Sequence, residues 1–172
     1  MAAGVDSIEH GSLIDDEGIA MMVKNGTWLV ADIYNDDYIL GRAREFQIPE
    51  EFIEKEKKLG QLQRDNFAKA VKAGVKVAFG TDAGVYPHGE NARQFAYMVK
   101  YGLTPALAIR SATSDAAELL GRSKDIGRIA TGYYADLIAV SADPLEDVKA
   151  LEKVGFVMKG GKVFKDELHR GK

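Results

Sequence analysis

Apolar residues fall along this chain in two rhythms. Residues 27–33 (TWLVADI) and 75–80 (VKVAFG) are short runs rich in β-branched and aromatic side chains, and residues 5–9 (VDSIE) read as the end of another. Runs of that length suit strands, and a near-continuous one suits a strand covered on both faces. Elsewhere the apolar positions recur at helical spacing. Residues 15–25 (DDEGIAMMVKN) predict a short helix with acids in its first turn, where the helix dipole favours them. Phe52, Leu59, Leu62, Phe67, Ala70 and Val71 predict one face of a long helix over 51–73, with Gly74 as its C-cap residue. Another helix is expected over about 91–101. Thr104-Pro105 starts the next, with Thr as N-cap and Pro at the first helical position; it breaks near Ser114 and ends near Gly121. Residues 34–50 are polar, show neither rhythm, and are expected to be irregular.

Strand, helix, strand, helix, strand, helix argues for right-handed βαβ units and a parallel sheet. After Gly127 the texture changes. Residues 135–140 (ADLIAV) and 154–158 (VGFVM) predict short strands, and Gly160-Gly161 is a two-residue hairpin signal. The expected class is therefore α/β, with a boundary between residues 126 and 127 and a small antiparallel element beyond it.

Composition narrows the function classes. With 172 residues and 46% hydrophobic, the chain can bury one ordinary core. A net charge of −3 with both signs interspersed gives no basic stripe for nucleic acid and favours a small-molecule partner. The absence of cysteine excludes disulfides and thiolate metal sites, and a reducing, cytoplasmic location fits it. The opening MAAGVDSIEH does not read as a signal peptide, and no apolar run approaches the roughly 20 residues of a membrane span, so no membrane role is expected. Lys165-Asp166-Glu167-Leu168 resembles a retention signal but is followed by four residues and carries no weight.

The candidate chemistry sits where strands stop. His10 lies in SIEHG just past the first strand, and Asp82 in FGTDAG just past the third. Parallel α/β folds collect ligands at the carboxyl ends of their strands, so both side chains share that edge. An imidazole and a carboxylate together suit a borderline cation such as zinc, and Asp82 can also take a proton from water acidified by a metal. Plainer readings stand beside these. His-Gly at a strand end can be a turn, Asp82 can cap the next helix or turn, and Gly80 and Gly84 can serve the turn alone. Tyr34 and Asn35, past the middle strand, either line a pocket or open a polar loop. His88 in YPHGEN is either a substrate contact or a solvated loop residue. His169 reads as solvated in the charged tail.

The ordered set IEHG, GTDAG, GRIATGYYADLIAV followed by DP, and VMKGGKVF resembles the C-terminal half of the metal-dependent amidohydrolases, in the branch of imidazolonepropionase-like hydrolases and Xaa-Pro or Xaa-Arg dipeptidases. The resemblance runs through nearly the whole chain. It implies a partial (β/α)8 barrel, with 5–9, 27–33 and 77–81 matching barrel strands six to eight. Residues 1–126 would be the barrel part and 127–172 a segment of the family's β-sandwich. It implies that His10 and Asp82 are metal ligands, that Asp82 is also general base and acid, and that Tyr34 and His88 shape the substrate pocket. The implied cofactor is a divalent metal, zinc by preference, with one or two ions in the full-length enzyme. The implied reaction is hydrolysis of amide or peptide C–N bonds in small-molecule or dipeptide-like substrates by metal-activated water.

The family's His-x-His pair after strand one, its lysine after strand four and its histidine after strand five have no counterpart among the three histidines and the remaining sequence. The chain is thus expected to be a fragment, weak or inactive alone, that forms homo-oligomers or is complemented by the missing N-terminal half. Two other readings remain. One is a non-catalytic α/β half-barrel acting as a binding or assembly module. The other is a phosphate-binding domain, disfavoured because GTDAG lacks the lysine and spacing of a nucleotide loop.

Overall fold

The computed structural model describes residues 1–168, so His169 lies outside the described residues. Three strands, β1 (Ser7–Glu9), β2 (Trp28–Ala31) and β3 (Val77–Phe79), form a parallel sheet in the order β1-β2-β3. Helix α1 (Asp16–Asn25) connects β1 to β2, and α2 (Asn35–Gly41) with α3 (Glu50–Ala73) connects β2 to β3. Helices α4 (Arg93–Lys100), α5 (Pro105–Ser111) and α6 (Ser114–Leu119) follow. A second sheet, antiparallel, takes β4 (Leu137–Val140), β5 (Val154–Lys159) and β6 (Lys162–Asp166) in that order. No described helix is long and apolar enough to cross a membrane.

Thr104 and Gly74 cap their helices as the sequence predicts, and Asp15, read from the sequence as the first helical residue, is the N-cap of α1. Asp15 accepts from the Gly18 N–H at 2.8 Å, and Thr104 Oγ1 from the Leu107 N–H at 3.2 Å with Pro105 opening the helix. Gly74 ends α3 at φ 84°, a conformation that costs other residues a Cβ clash. The β5–β6 hairpin turns on Gly160-Gly161, both at positive φ, with Lys159 opposite Lys162.

Leu29 and Ala31 of β2, Val77 of β3, Ile19 and Met22 of α1, Phe67 and Ala70 of α3, and Met98, Leu103 and Ala108 beyond β3 make one buried cluster. Trp28 and Val30 alternate to the other side of the sheet from Leu29 and Ala31; Trp28 is buried there and Val30 half-buried.

Two elements depart from the expected pattern. Residues 35–41, expected to be irregular, are helical. Asn, Asp and aromatic residues are weak helix formers, and a seven-residue helix does not hold itself. Packing of Tyr38 against Tyr34 and Tyr86, at ring separations of 6.4 and 5.7 Å, supplies what propensity lacks. A 3₁₀ turn at Val148–Glu152, started by Asp147 accepting from the Lys149 N–H at 3.0 Å, buries Val148 and Leu151 beside α4. Five residues are too few for a periodic signal.

Candidate functional site

The strand register brings three residues to one edge. Glu9 pairs with Val30, Ala31 with Phe79, and the His10 N–H donates to the Val30 carbonyl at 2.9 Å. His10 and Asp32 therefore leave adjacent strands side by side, and Asp82 follows β3 by three residues. One ligand atom from each of His10, Asp32 and Asp82 lies within 4.8 Å of the other two. Two of them sit in the left-handed region, His10 at φ 63° and Asp82 at φ 47°. His and Asp are among the few side chains that tolerate it. Gly11 follows at φ 66°, and a Cβ there would meet Leu29 Cδ1 at 2.5 Å. The turn that presents His10 thus lies tight against the core.

Asp32 is the buried member, 7% exposed, while His10 and Asp82 are exposed. His10 Nδ1 lies within hydrogen-bond distance of Asp32 Oδ1, at 3.0 Å. Gln63, from α3, donates Nε2 to the same oxygen at 2.9 Å and reaches the His10 carbonyl at 3.2 Å. Asn35, the first residue of α2, donates Nδ2 to Asp32 Oδ2 at 2.5 Å and leaves its own Oδ1 without a partner. Gln94 of α4, fully buried, donates to the Ala31 carbonyl at 2.6 Å and accepts from the Tyr34 N–H at 3.1 Å. Buried side-chain amides from three helices thus pin the end of β2.

Of the residues the sequence singles out, His10 and Asp82 converge. Tyr34 and His88 do not join them. The Tyr34 hydroxyl accepts from Arg93 Nη1 at 3.1 Å, and its ring stands 5.1 Å from Tyr86 and 5.3 Å from Tyr97 in a buried aromatic cluster. His88 is exposed in the loop after β3. Asp32, Gln63 and Gln94 escape the sequence reading. Asp32 had a signal, since it ends TWLVAD as directly as His10 ends SIEH. The glutamines had none, because an amide on a helix face reads as solvated.

Behind the site lies a second charged group. Arg64 of α3 donates Nε to the Ile33 carbonyl at 3.1 Å and Nη2 to Asp37 Oδ1 at 2.7 Å, and Tyr97 donates its hydroxyl to Asp37 Oδ2 at 2.5 Å. Asp36 is buried against Gly60, where a Cβ would stand 2.6 Å from its carboxyl carbon. Burial, and then the charge and hydrogen bond of Glu56, push its carboxyl up to about 7, against a smaller opposing pull from Arg64. Burial likewise pushes the Tyr86 hydroxyl up to about 12, so it stays protonated at neutral pH.

The Asp36 carboxyl has a measurable consequence. Its folded form holds a proton more tightly than the unfolded chain, so this contribution is fully present below about pH 4 and is lost as pH rises to about 7. Stability measured by urea denaturation should fall across that window in the wild type. Asp36→Asn, uncharged throughout, should flatten the slope. An unchanged slope in the variant would mean that Asp36 ionises freely in the fold.

Comparisons with known proteins agree on one group. The sequence model described as the amidohydrolase family matches residues 1–164. Ochratoxinase from Aspergillus niger is 35% identical over 168 residues, covering 95% of this chain and 34% of its own length. The crystal structure of a Xaa-Pro dipeptidase with bound methionine in the active site superposes with a TM-score of 0.86 at 43% identity, over 95% of this chain and 41% of that one. Imidazolonepropionase from Shouchella clausii is 31% identical over 106 residues, covering 57% of this chain and 23% of its own. The chain thus spans well under half the length of the relatives it matches.

Proposed function

Since this chain belongs to the amidohydrolase family, we propose that it carries part of the active site of a metal-dependent hydrolase acting on amide- or peptide-type C–N bonds. The observation that carries the reading is the convergence of His10, Asp32 and Asp82 within 4.8 Å at the carboxyl edge of a parallel sheet. The donors fit a cation. Ligands about 2.0–2.2 Å from one zinc stand roughly 3–4 Å apart, so closure asks a shift of about an ångström at the widest pair. An imidazole nitrogen with carboxylate oxygens suits zinc. When bound, such a cation supplies a Lewis acid that polarises the scissile carbonyl and acidifies water.

In this reading His10 and Asp82 hold the cation. Asp82, exposed at the carboxyl edge of the sheet, takes a proton from the attacking water and returns it to the departing amine nitrogen. Tyr34 and His88 belong to the substrate side, Tyr34 through a hydroxyl already oriented by Arg93. The names of the relatives favour dipeptide-like or related small amide substrates. The same reading makes the parallel sheet part of a (β/α)8 barrel, with residues 1–126 belonging to it and 127–172 to a β-sandwich, in a cytoplasmic enzyme. Further ligands would come from protein beyond these 172 residues or from another copy, so the chain alone should hydrolyse dipeptides weakly or not at all.

A second reading, a non-catalytic binding or assembly module, is favoured by one fact. Among the described residues, the convergent group has three members, and one of them, Asp32, is hydrogen-bonded through both oxygens. Zinc and cobalt content per chain, by mass spectrometry after loading and gel filtration, separates the two. Close to one ion per chain is the expected result. Metal no higher than in a denatured control would sink the metal-site reading.

A further inference from the structure

We infer that Asp32 is a positioning residue, not a ligand: its carboxylate holds the His10 imidazole in the Nδ1–H tautomer and so presents Nε2 to the cation. The inference rests on the reading of His10 as a ligand and goes beyond it by assigning a residue that neither the sequence motifs nor the family match singles out.

The hydrogen bonds decide the role. Asp32 Oδ1 accepts from His10 Nδ1 at 3.0 Å and from Gln63 Nε2 at 2.9 Å, and Oδ2 accepts from Asn35 Nδ2 at 2.5 Å. A carboxylate only accepts, so the proton of the first bond sits on Nδ1. To bind a cation, Asp32 would have to surrender donors that its burial, at 7% exposed, makes costly to lose. With Nδ1 committed, Nε2 is the nitrogen left with a lone pair. A carboxylate behind a metal-binding imidazole fixes ring orientation and raises ligand basicity. Gln63 strengthens the device by bridging the Asp32 carboxylate and the His10 backbone carbonyl, so ring and main chain are tied to one side chain of α3. A turn held at φ 63° needs such a tie to keep the ring in one place.

The test begins with the metal-free wild-type chain. Two-bond proton–nitrogen spectra of the imidazoles at neutral pH, with His10 assigned by the signals lost in His10→Asn, report its tautomer directly. The expected result is the Nδ1–H form. In Asp32→Ala the ring should move toward the Nε2–H form that free imidazole side chains prefer. Zinc affinity should fall by about 10–100-fold, the usual cost of losing an outer partner, without being abolished. An Nε2–H tautomer in the wild type would overturn the inference even if no variant folds. So would a loss of zinc in Asp32→Ala as complete as in Asp82→Asn, which would make Asp32 a ligand. Failure of the wild type to bind zinc at all would instead overturn the metal-site reading, while the tautomer still decides the role of Asp32 toward His10.

Discussion

Asp82→Asn is expected to weaken zinc binding by more than about a hundredfold, beyond the range typical of losing an outer-shell partner, while leaving the fold intact. The backbone argument makes this substitution clean. Asp82 stands at φ 47°, and Asn is one of the few residues that accept the left-handed region as readily as Asp. Alanine there would add backbone strain of about 1–2 kcal/mol and blur the result. What Asn removes is the anionic charge and one of the ligand oxygens in a group that spans 4.8 Å. It also removes the proton acceptor, so any hydrolysis by a complemented enzyme should fall with it. His88→Asn is the matched control. It deletes an exposed imidazole outside the convergent group, and zinc affinity should not move. Competition with a chromophoric chelator reads both variants, and circular dichroism reports the fold. Equal affinities for Asp82→Asn and wild type would remove Asp82 from the site.

Arg64→Ala is expected to cost about 3 kcal/mol or more of stability at pH 7, the scale of breaking a buried ion pair from one side. Arg64 is 7% exposed and is committed on several sides. It donates to the Ile33 carbonyl just beyond β2 and to Asp37, stands 3.9 Å from Asp36 Oδ2, and lies 5.5 Å over the Tyr97 ring. The Asp37 contact is partly solvated and contributes little alone. The cost comes from the orphaned Ile33 carbonyl, from the lost contacts of the buried guanidinium with Asp37 and the Tyr97 ring, and in smaller part from the fraction of Asp36 that is ionised at pH 7. Because Arg64 pulls the Asp36 carboxyl down, its removal should push that carboxyl higher still. The loss should then be smaller at pH 5, where Asp36 already carries a proton. Arg64→Lys keeps the charge without the planar fork and should recover only part of the loss. The damage should reach the site, since α2 begins with the Asn35 that bonds Asp32. Urea denaturation of the variants at pH 5 and pH 7 checks the whole set. A loss under about 1 kcal/mol at both would mean that the network is solvated and incidental.

Much of the fold is legible without coordinates, and the particular elements show why. The run VKVAFG places β3 because only a strand of that length buries successive side chains on both faces. The long helix and its stop at Gly74 are readable, because a left-handed residue ends the ladder there, but its predicted apolar face is only partly right: Phe67 and Ala70 are buried, while Phe52 and Leu62 are exposed and Gln63, Arg64 and Asn66 face inward to bond loops and strand ends. The hairpin at Gly160-Gly161 is readable because both residues must take positive φ. Helix α2 is not readable in the same way. Its residues hold no amphipathic period of their own, and its helicity comes from contacts with Tyr34, Arg64 and Tyr86 across 4 to 48 positions of the chain.

The candidate site divides along the same line. His10 and Asp82 stand out in the sequence because each follows a strand at once, and topology alone sends the ends of parallel strands to one edge. Asp32 shares that position, yet its role depends on facts that no local pattern contains. These are the register that sets it beside His10, the burial that denies it water, and the amides of Gln63 and Asn35 that arrive from two helices. Local propensity and hydrophobic period act over a few residues and determined the strands, the long helix and the edge where chemistry can gather. Hydrogen bonds across 22 and 31 positions form only when the chain has packed, so the tautomer inferred for His10 rests on contacts that no local pattern contains.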